Sequence, residues 1–390
     1  MFYVVGIAVT LFLATILISK RGKTEADKIL SLWLVVIGLH LTSFYLFITG
    51  KNLSLPYLLG LELPFPLLHG PFLYLYTASV TNQRRAWRLR ILHFVPFFLS
   101  YLLFMPFILS PAEEKVFVYQ NEGQGYESTT TVSFISIIIS GIVYVTLSLW
   151  LLAKHKRKIR DQFSYAERIN LAWLRYLIYG IGVIWVVVIF SDDRATYSTV
   201  VVFVILLGYF GIKQVGIFTQ KLPAHSQNEK AIDIASPIST PKTPPDSLIN
   251  MEAPIVGESQ KSKYLKSSLN AASAENIHQI LTELMREKKP YTNPELTLAE
   301  LAEALNVNRN NLSQVINTYE QKNFYDYINQ KRVEEFKRVA SLPENQKYTL
   351  LGLANDCGFN SKTSFNRNFK NATGLSPTEY LKQANILLAQ

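Results

Sequence analysis

The sequence predicts an all-α chain in three parts: a seven-helix transmembrane bundle over residues 1–220, a flexible linker over 221–260, and a cytoplasmic domain with two helix-turn-helix motifs over 261–390. Three observations predict it. Seven apolar segments fill the first half, a stretch rich in Pro, Ser and Thr follows, and two tandem patterns occupy the last third: TLAELAEALNVNRNNLSQVIN (297–317) and TLLGLANDCGFNSKTSFNRNFK (349–370). The 390 residues leave room for two or three domains.

The apolar segments run roughly from Phe2 to Ile18, Ile29 to Ile48, Leu55 to Val80, Ile91 to Leu109, Val132 to Ala153, Ile169 to Phe190 and Ser198 to Ile217. Each approaches or exceeds the roughly 20 residues that a helix needs to cross a hydrocarbon core of about 30 Å. Lys and Arg in the loops orient them. The first, third and fifth loops hold fourteen: Lys20, Arg21, Lys23 and Lys28; Arg84, Arg85, Arg88 and Arg90; Lys154, Lys156, Arg157, Lys158, Arg160 and Arg168. The second, fourth and sixth hold only Lys51, Lys115 and Arg194. The alternation expects a multi-pass inner-membrane protein with its N-terminus outside and everything after the seventh span in the cytoplasm. A cleaved signal sequence is the other reading of the first segment, but that wants positive charge before the apolar run, and no charged side chain precedes Lys20.

The linker, with its SPISTPKTPPDS core, shows neither helical nor strand period and cannot bury enough apolar surface to offset its ordering entropy. From Ala274 a helical stripe of Ile277, Ile280, Leu281, Leu284 and Met285 appears, stopped by Pro290 and Pro294. In the first motif Thr297 and Glu300 predict a capping box on a helix burying Leu298, Leu301, Ala302 and Leu305. Asn306 sits at the turn, where left-handed geometry is wanted. Asn308 is placed to cap the next helix, whose inner face is Leu312, Val315 and Ile316 and whose outer face is Arg309, Asn310, Ser313, Gln314 and Asn317. A long helix from Asn323 to about Leu342 then buries Phe324, Tyr327, Ile328, Val333, Phe336 and Val339. At 1.5 Å per residue it covers about 30 Å, near the 34–36 Å between successive major-groove faces.

The second motif repeats the logic. Leu350, Leu353 and Ala354 bury one helix, Gly358 turns the chain and Phe359 packs beneath. Ser361 caps a helix anchored by Phe365 and Phe369, with Lys362, Thr363, Asn366, Arg367 and Lys370 outward. Ser376 to Glu379 is another capping box with Pro377 at the first helical position. Cys357, the only cysteine, excludes an intrachain disulfide and a multi-cysteine zinc site, and reads as a small core residue.

These residues carry a family resemblance. The stretch GFNSKTSFNRNFKNATGLSPTEYLK (358–382) closely resembles the signature of AraC/XylS-type transcription regulators, with Gly358-Phe359, Phe365, Phe369, Gly374, Ser376-Pro377 and Tyr380 at the family's spacings. First motif, connecting helix and second motif match from about Leu296 to Leu381, roughly a quarter of the chain. The resemblance implies a DNA-binding domain with one recognition helix in each of two adjacent major grooves. Asn306 departs from the frequent small turn residue, and Asn368 stands where the family usually has an apolar one, which puts the packing of that helix in question.

On the outward faces, Arg309 and Arg367 suit guanine, and Asn310, Gln314 and Asn366 suit adenine. Lys362 and Lys370 suit phosphate, while Ser313 and Thr363 complete the polar surface. From Lys261 onward 17 Lys and Arg face 13 Asp and Glu, so binding is expected to rest on locally placed cations. In the membrane half His40, Glu62, His69 and Arg175 are polar groups at membrane depth, which are costly there. Glu62 and His69 share LELPFPLLHGPFLYLY, where Pro64, Pro66, Gly70 and Pro71 should bend or break the third helix. Two readings stand: a sensor pocket of His40, Glu62 and His69, or a kinked packing helix with Glu62 and Arg175 at the interfaces.

Taken together these features expect a bacterial one-component sensor whose partners are double-stranded DNA, the bilayer, a second copy of the chain and an unidentified signal. Catalytic residues, cofactors and metals have no place in it. The rival readings are a membrane enzyme using His40, Glu62 and His69 as metal ligands, although no span holds an HExxH or GxSxG pattern, and a scaffold whose tail binds protein. The loop charges make the orientation testable. A reporter active only in the cytoplasm should work when fused after Lys221 or in the fifth loop and fail between Pro111 and Thr130; activity at that fourth-loop position would overturn the orientation.

Overall fold

In the computed structural model the described residues are 1–83, 87–165, 171–213, 270–386 and 388. Arg84, Arg85, Arg168, Lys221 and the expected linker lie outside them. The described residues form two compact units, one from residues 1–161 and 165–213, the other from 162–164 and the residues from 270 on.

In the first unit α1 (Phe2–Ser19) packs on α2 (Glu25–Ile48) and on α10 (Asp193–Lys213), which also packs on α9 (Ala172–Phe190). The close approach of α1 and α10 depends on Gly6: a Cβ there would stand 2.6 Å from Val201 Cγ2. Small residues serve this purpose between membrane helices. Thr24 and Asp27 cap α2 reciprocally, and Lys20 pairs with the same Asp27 at 2.8 Å.

The third apolar segment is not one span. Residues 59–65 make turns, and α3 (Pro66–Val80) starts with Pro66 in its first turn and continues through Gly70 and Pro71. At 15 residues it extends only about 22 Å. It is buried on nearly every side from Leu67 to Ser79, as expected for a helix apolar all round. The fourth segment is also broken, into α4 (Trp87–Ile91), a 3-10 turn at Leu92–Phe94, α5 (Val95–Leu103) and α6 (Met105–Leu109). Pro96 and Pro106 fall in the first turns of α5 and α6, where the missing N–H is harmless. α7 (Ala112–Gln120) and α8 (Glu127–Gln162) follow.

The third segment is interrupted as its prolines led one to expect, and the fourth is interrupted as well. Among the described residues four helices, α1, α2, α8 and α9, are long and apolar enough to cross a membrane. Residues such as Phe12, Ile139, Ile142, Val183 and Val186 face outward on α1, α8 and α9.

The second unit is the pair of motifs. A leading helix, Ala271–Glu287, buries Ile277, Leu281 and Met285. Ile280 was expected to share that stripe but is exposed, because it falls on the solvent side of the 277–281–285 row. The first motif comprises Leu298–Ala304 and Arg309–Tyr319; the capping box of Thr297 and Glu300 is formed, and Asn306 takes φ 52°. The connecting helix is Phe324–Ala340, 17 residues and about 25 Å, ending two residues before the expected Leu342. Val339 is only partly buried. The second motif comprises Leu350–Asp356 and Lys362–Thr373, followed by Pro377–Gln383.

Two apolar clusters result. One joins the leading helix, the first motif and the start of the connecting helix around Leu281, Leu301, Leu312, Val315 and Ile328. The other joins the end of the connecting helix to the second motif. There Phe336, Phe359 and Phe369 surround Phe365, and Tyr380 packs on Phe369, with ring centroids 4.7–5.6 Å apart.

Between the clusters lies Arg332, 2% exposed. A guanidinium has five N–H donors, and five bonds are made. Nε donates to Tyr291 O (2.7 Å), one terminal nitrogen to Asn329 Oδ1 (3.2 Å) and Ser164 O (3.1 Å), the other to Ser164 Oγ (3.1 Å) and Asn293 O (2.7 Å). Gly358, at φ 96°, is required by this contact, since a Cβ there would lie 2.3 Å from Tyr291 O and 2.9 Å from Arg332 Nε.

Cys357, next in the chain, is buried, and burial pushes its thiol up to about 12. The reactive thiolate is therefore scarce in the folded unit. Replacing Arg332 with Leu should destabilise the unit by about 1–3 kcal/mol for each carbonyl left unmet. Alkylation of Cys357 in the full chain by N-ethylmaleimide should be slow in the parent, markedly faster in Arg332→Leu and intermediate in Arg332→Lys. Equal rates in all three would remove the structural role assigned to Arg332.

Candidate functional sites

The outer helix of the first motif starts at Asn308, whose side chain accepts from the Asn310 backbone N–H at 2.8 Å. Its apolar face is spent on Leu312, Val315 and Ile316, so Arg309 and Asn310 are exposed while Ser313, Gln314 and Asn317 are half-buried. Asn317 Nδ2 lies 3.4 Å from Ser313 Oγ. In the second motif Ser361 caps the outer helix through the Ser364 N–H at 3.1 Å. Phe365 and Phe369 are fully buried beneath it, and Lys362, Thr363, Asn366, Arg367 and Lys370 are all exposed on the opposite face. The nine sequence-predicted residues thus form two polar, cation-bearing helix faces.

Tyr325, on the connecting helix, is a residue that the sequence reading missed. Its buried hydroxyl accepts from Arg367 at 2.6 Å and from Asn368 at 2.9 Å. Asn368, whose packing was in question, is buried and also donates to Ser364 O at 2.9 Å. The polar side chain is accommodated because its partners are built in. The hydroxyl also holds Arg367, which reduces the freedom of a side chain expected to read a base.

Glu335 lies ten residues further along the connecting helix. It accepts from Lys289 Nζ (2.9 Å) and from Arg338 through two nitrogens (2.7 and 3.0 Å). Tyr291 O–H lies 3.4 Å away. The Arg338 hydrogen bonds foremost, and that of Lys289, hold the carboxyl down at about 2.

In the first unit the three expected pocket residues separate into two groups. Trp33 Nε1 donates to His69 Nδ1 (3.2 Å), His69 Nε2 and His40 Nδ1 are 3.1 Å apart, and His40 Nε2 and Tyr197 Oη are 2.7 Å apart. An indole N–H only donates, so the chain is complete with one proton on each imidazole, at Nε2: His69 then donates to His40, and His40 to Tyr197. Glu62 instead accepts from Tyr119 O–H, and Tyr119 Oη accepts from the Gly60 N–H at 3.1 Å.

Glu62 and Tyr197 line one cavity of about 360 Å³, with Phe44, Phe107 and Tyr119 among its walls. His40 and His69 lie behind it and reach it through Tyr197. Among the described residues no group of three His, Cys, Asp or Glu side chains is placed to hold a metal ion. Trp33, Tyr119 and Tyr197 escaped the sequence reading because it weighed charged groups at membrane depth and passed over the polar tips of aromatics. Arg175 sits in the first turn of α9, at the end of that helix.

A family model described as a helix-turn-helix domain matches residues 301–383, which form a helix-turn-helix domain of the AraC type. No curated protein matches the chain. Among solved structures, a protein of unknown function from Listeria innocua is similar at 24% identity over 27% of this chain and 95% of its own, with a TM-score of 0.24.

The Glu335 geometry predicts a pH dependence. A carboxyl depressed when folded contributes stability that is present above about 4.5, its ordinary value, and is lost as pH falls toward about 2. Glu335→Gln should cost about 1–2 kcal/mol at neutral pH, and the gap between parent and variant should close between pH 4.5 and 2 in denaturant titrations. A gap independent of pH would remove the ionic role.

Proposed function

We propose that the chain is a membrane-bound, sequence-specific DNA-binding transcription regulator, a one-component sensor that couples a signal in or across the bilayer to promoter binding. The observation that carries the reading is the AraC-type domain at 301–383, with both outer helices presenting polar, donor-rich faces. Each motif supplies one helix for a major groove. Arg309, Asn310, Gln314, Asn366 and Arg367 read base edges, Ser313 and Thr363 support them, and Lys362 and Lys370 hold phosphate.

The membrane reading is supported by four long apolar helices whose outward faces carry large aliphatic and aromatic side chains, a surface that water would not favour. Seven crossings with the N-terminus outside bring residues 261–390 to the side where DNA is; in the broken third segment most of Leu67–Ser79 is buried and Glu62 and Leu63 line the cavity, the setting in which irregular backbone is tolerated at membrane depth. We assign residues 1–220 to the membrane domain, 221–260 to the linker and 261–390 to DNA binding, with His40, Glu62 and His69 belonging to the sensing half. Homodimerisation on DNA is part of the same proposal.

The test is direct. The full chain in detergent or nanodiscs, which keeps the Ser164 contacts of Arg332, should bind a site spanning two major grooves. Arg309→Ala should cost about 1–3 kcal/mol on the preferred site and relax preference at one position. Lys370→Ala should weaken all sequences alike and lower the salt slope by about one. Tyr325→Phe, which removes the acceptor of Arg367 and Asn368, should reduce discrimination. Binding that is only salt-labile and blind to sequence would sink the regulator reading.

A further inference from the structure

The cavity in the membrane half is built unlike a packing defect. Seven of its fifteen lining residues are aromatic, three are carboxylates (Glu62, Glu122 and Asp193), and none is Lys, Arg or His. The aromatics form two walls. Phe44 and Tyr197 stack with centroids 3.8 Å apart, and separately Phe107 meets Tyr119 at 5.9 Å and Tyr126 at 5.3 Å. Lys115, one turn from Tyr119 on α7, is buried and is not part of the lining.

Each feature constrains the ligand. Carboxylates without a cation among the lining residues repel an anion and favour a positive group. Aromatic faces attract cations through the ring quadrupole and suit alkylated ammonium groups, which cannot satisfy a dense hydrogen-bonding shell. The volume of about 360 Å³ is that of a small-molecule pocket, and Leu63, Phe104 and Val118 provide an apolar floor. A neutral apolar molecule would leave Glu62 desolvated without gain.

We propose that this cavity binds an amphiphilic organic cation, an ammonium group carried on an apolar body, with Glu62 as counter-ion and the Phe44–Tyr197 and Phe107–Tyr119–Tyr126 walls enclosing the charged head. Glu62 is already oriented by the Tyr119 hydroxyl. The Tyr197 hydroxyl accepts from His40 in the neutral imidazole chain and so keeps its own proton to donate. Trp33, His69 and His40 therefore act as positioning residues for Tyr197. This deepens the sensor reading and rests on it for the consequence of occupancy, though not for binding itself. The ammonium has two conceivable sources, a free amphiphile or the headgroup of a bilayer lipid.

The experiment uses the full chain in phosphatidylglycerol nanodiscs, which carry no ammonium headgroup. Hexyltrimethylammonium, hexanesulfonate and hexanol are compared by calorimetric titration and by the shift in unfolding midpoint. Only the cation should bind and stabilise. Glu62→Gln should weaken it by about tenfold or more, on the scale of one desolvated cation–π or ionic contact. Phe107→Leu, which keeps apolar volume and loses one ring face, provides a second variant and should weaken it severalfold. Repeating the titration in discs containing phosphatidylethanolamine separates the sources: apparent affinity falls if the headgroup competes and is unchanged if the ligand is free, and either result supports a cation site. Absence of cation binding, equal binding of hexanesulfonate or hexanol, or full affinity in both variants would overturn the proposal. A promoter reporter is read separately. Cation binding without a transcriptional response leaves the site intact and removes the sensor reading, whereas a response to another ligand does the reverse.

Discussion

A guanidinium buried to 2% exposure costs several kcal/mol of desolvation unless every donor is met. The double-motif unit is arranged around meeting them. Arg332 takes backbone carbonyls from the turn that precedes the first motif, at Tyr291 and Asn293, and lies against the turn of the second, at Gly358. Apolar packing alone does not fix how two small three-helix clusters sit along one connecting helix, because such contacts are non-directional. The directed bonds of Arg332 to Tyr291 O and Asn293 O on one side, with its close contact to Gly358 on the other, do. The glycine at 358 follows from the same contact: its missing side chain is the space that the guanidinium and the Tyr291 carbonyl occupy. Seven residues earlier on the connecting helix, Tyr325 fixes Arg367 and Asn368 by the same means, with a hydroxyl in place of a guanidinium.

What was legible in the sequence was local. Thr297 with Glu300, Asn308, Ser361 and Ser376 with Glu379 announce helix starts because a capping side chain reaches backbone only two or three residues away, and all four caps are formed. Asn306 and Gly358 announce turns because few residues tolerate positive φ. The apolar periodicity likewise identified most of both cores. Ile280 and Val339 show its limit: a stripe read at 3.6 residues per turn has edges whose burial depends on how wide the neighbour is.

The candidate sites were legible only in part, for a reason of sequence distance. The nine residues on the outer helix faces follow from which positions the cores leave over. Tyr325 is 42 residues from Arg367, and His40 is 157 from Tyr197, and no periodicity relates them. In the membrane half, hydropathy measures apolar content and is silent on backbone continuity. The third and fourth segments look like spans in composition, yet Pro66, Pro96 and Pro106 start new helices within them. Prolines that looked like an irregularity in one span instead hold open the turns from which Glu62 faces its cavity.

The two halves meet their polar groups by opposite rules. In the DNA-binding unit the buried polar side chains, Arg332, Asn329, Asn368 and Tyr325, are bonded to one another or to backbone, which rigidifies the frame and leaves the outer faces to vary. In the first unit the chain from Trp33 through two histidines ends at Tyr197, a residue on a cavity wall, and Glu62 is likewise held by Tyr119 at that wall. In the bilayer setting proposed for this unit its polar groups would be expensive, and an inert anchor would gain nothing by directing them at open space. A structural network closes on itself, whereas this one stops at the wall of a cavity, and that termination is the observation on which the proposed sensing role rests.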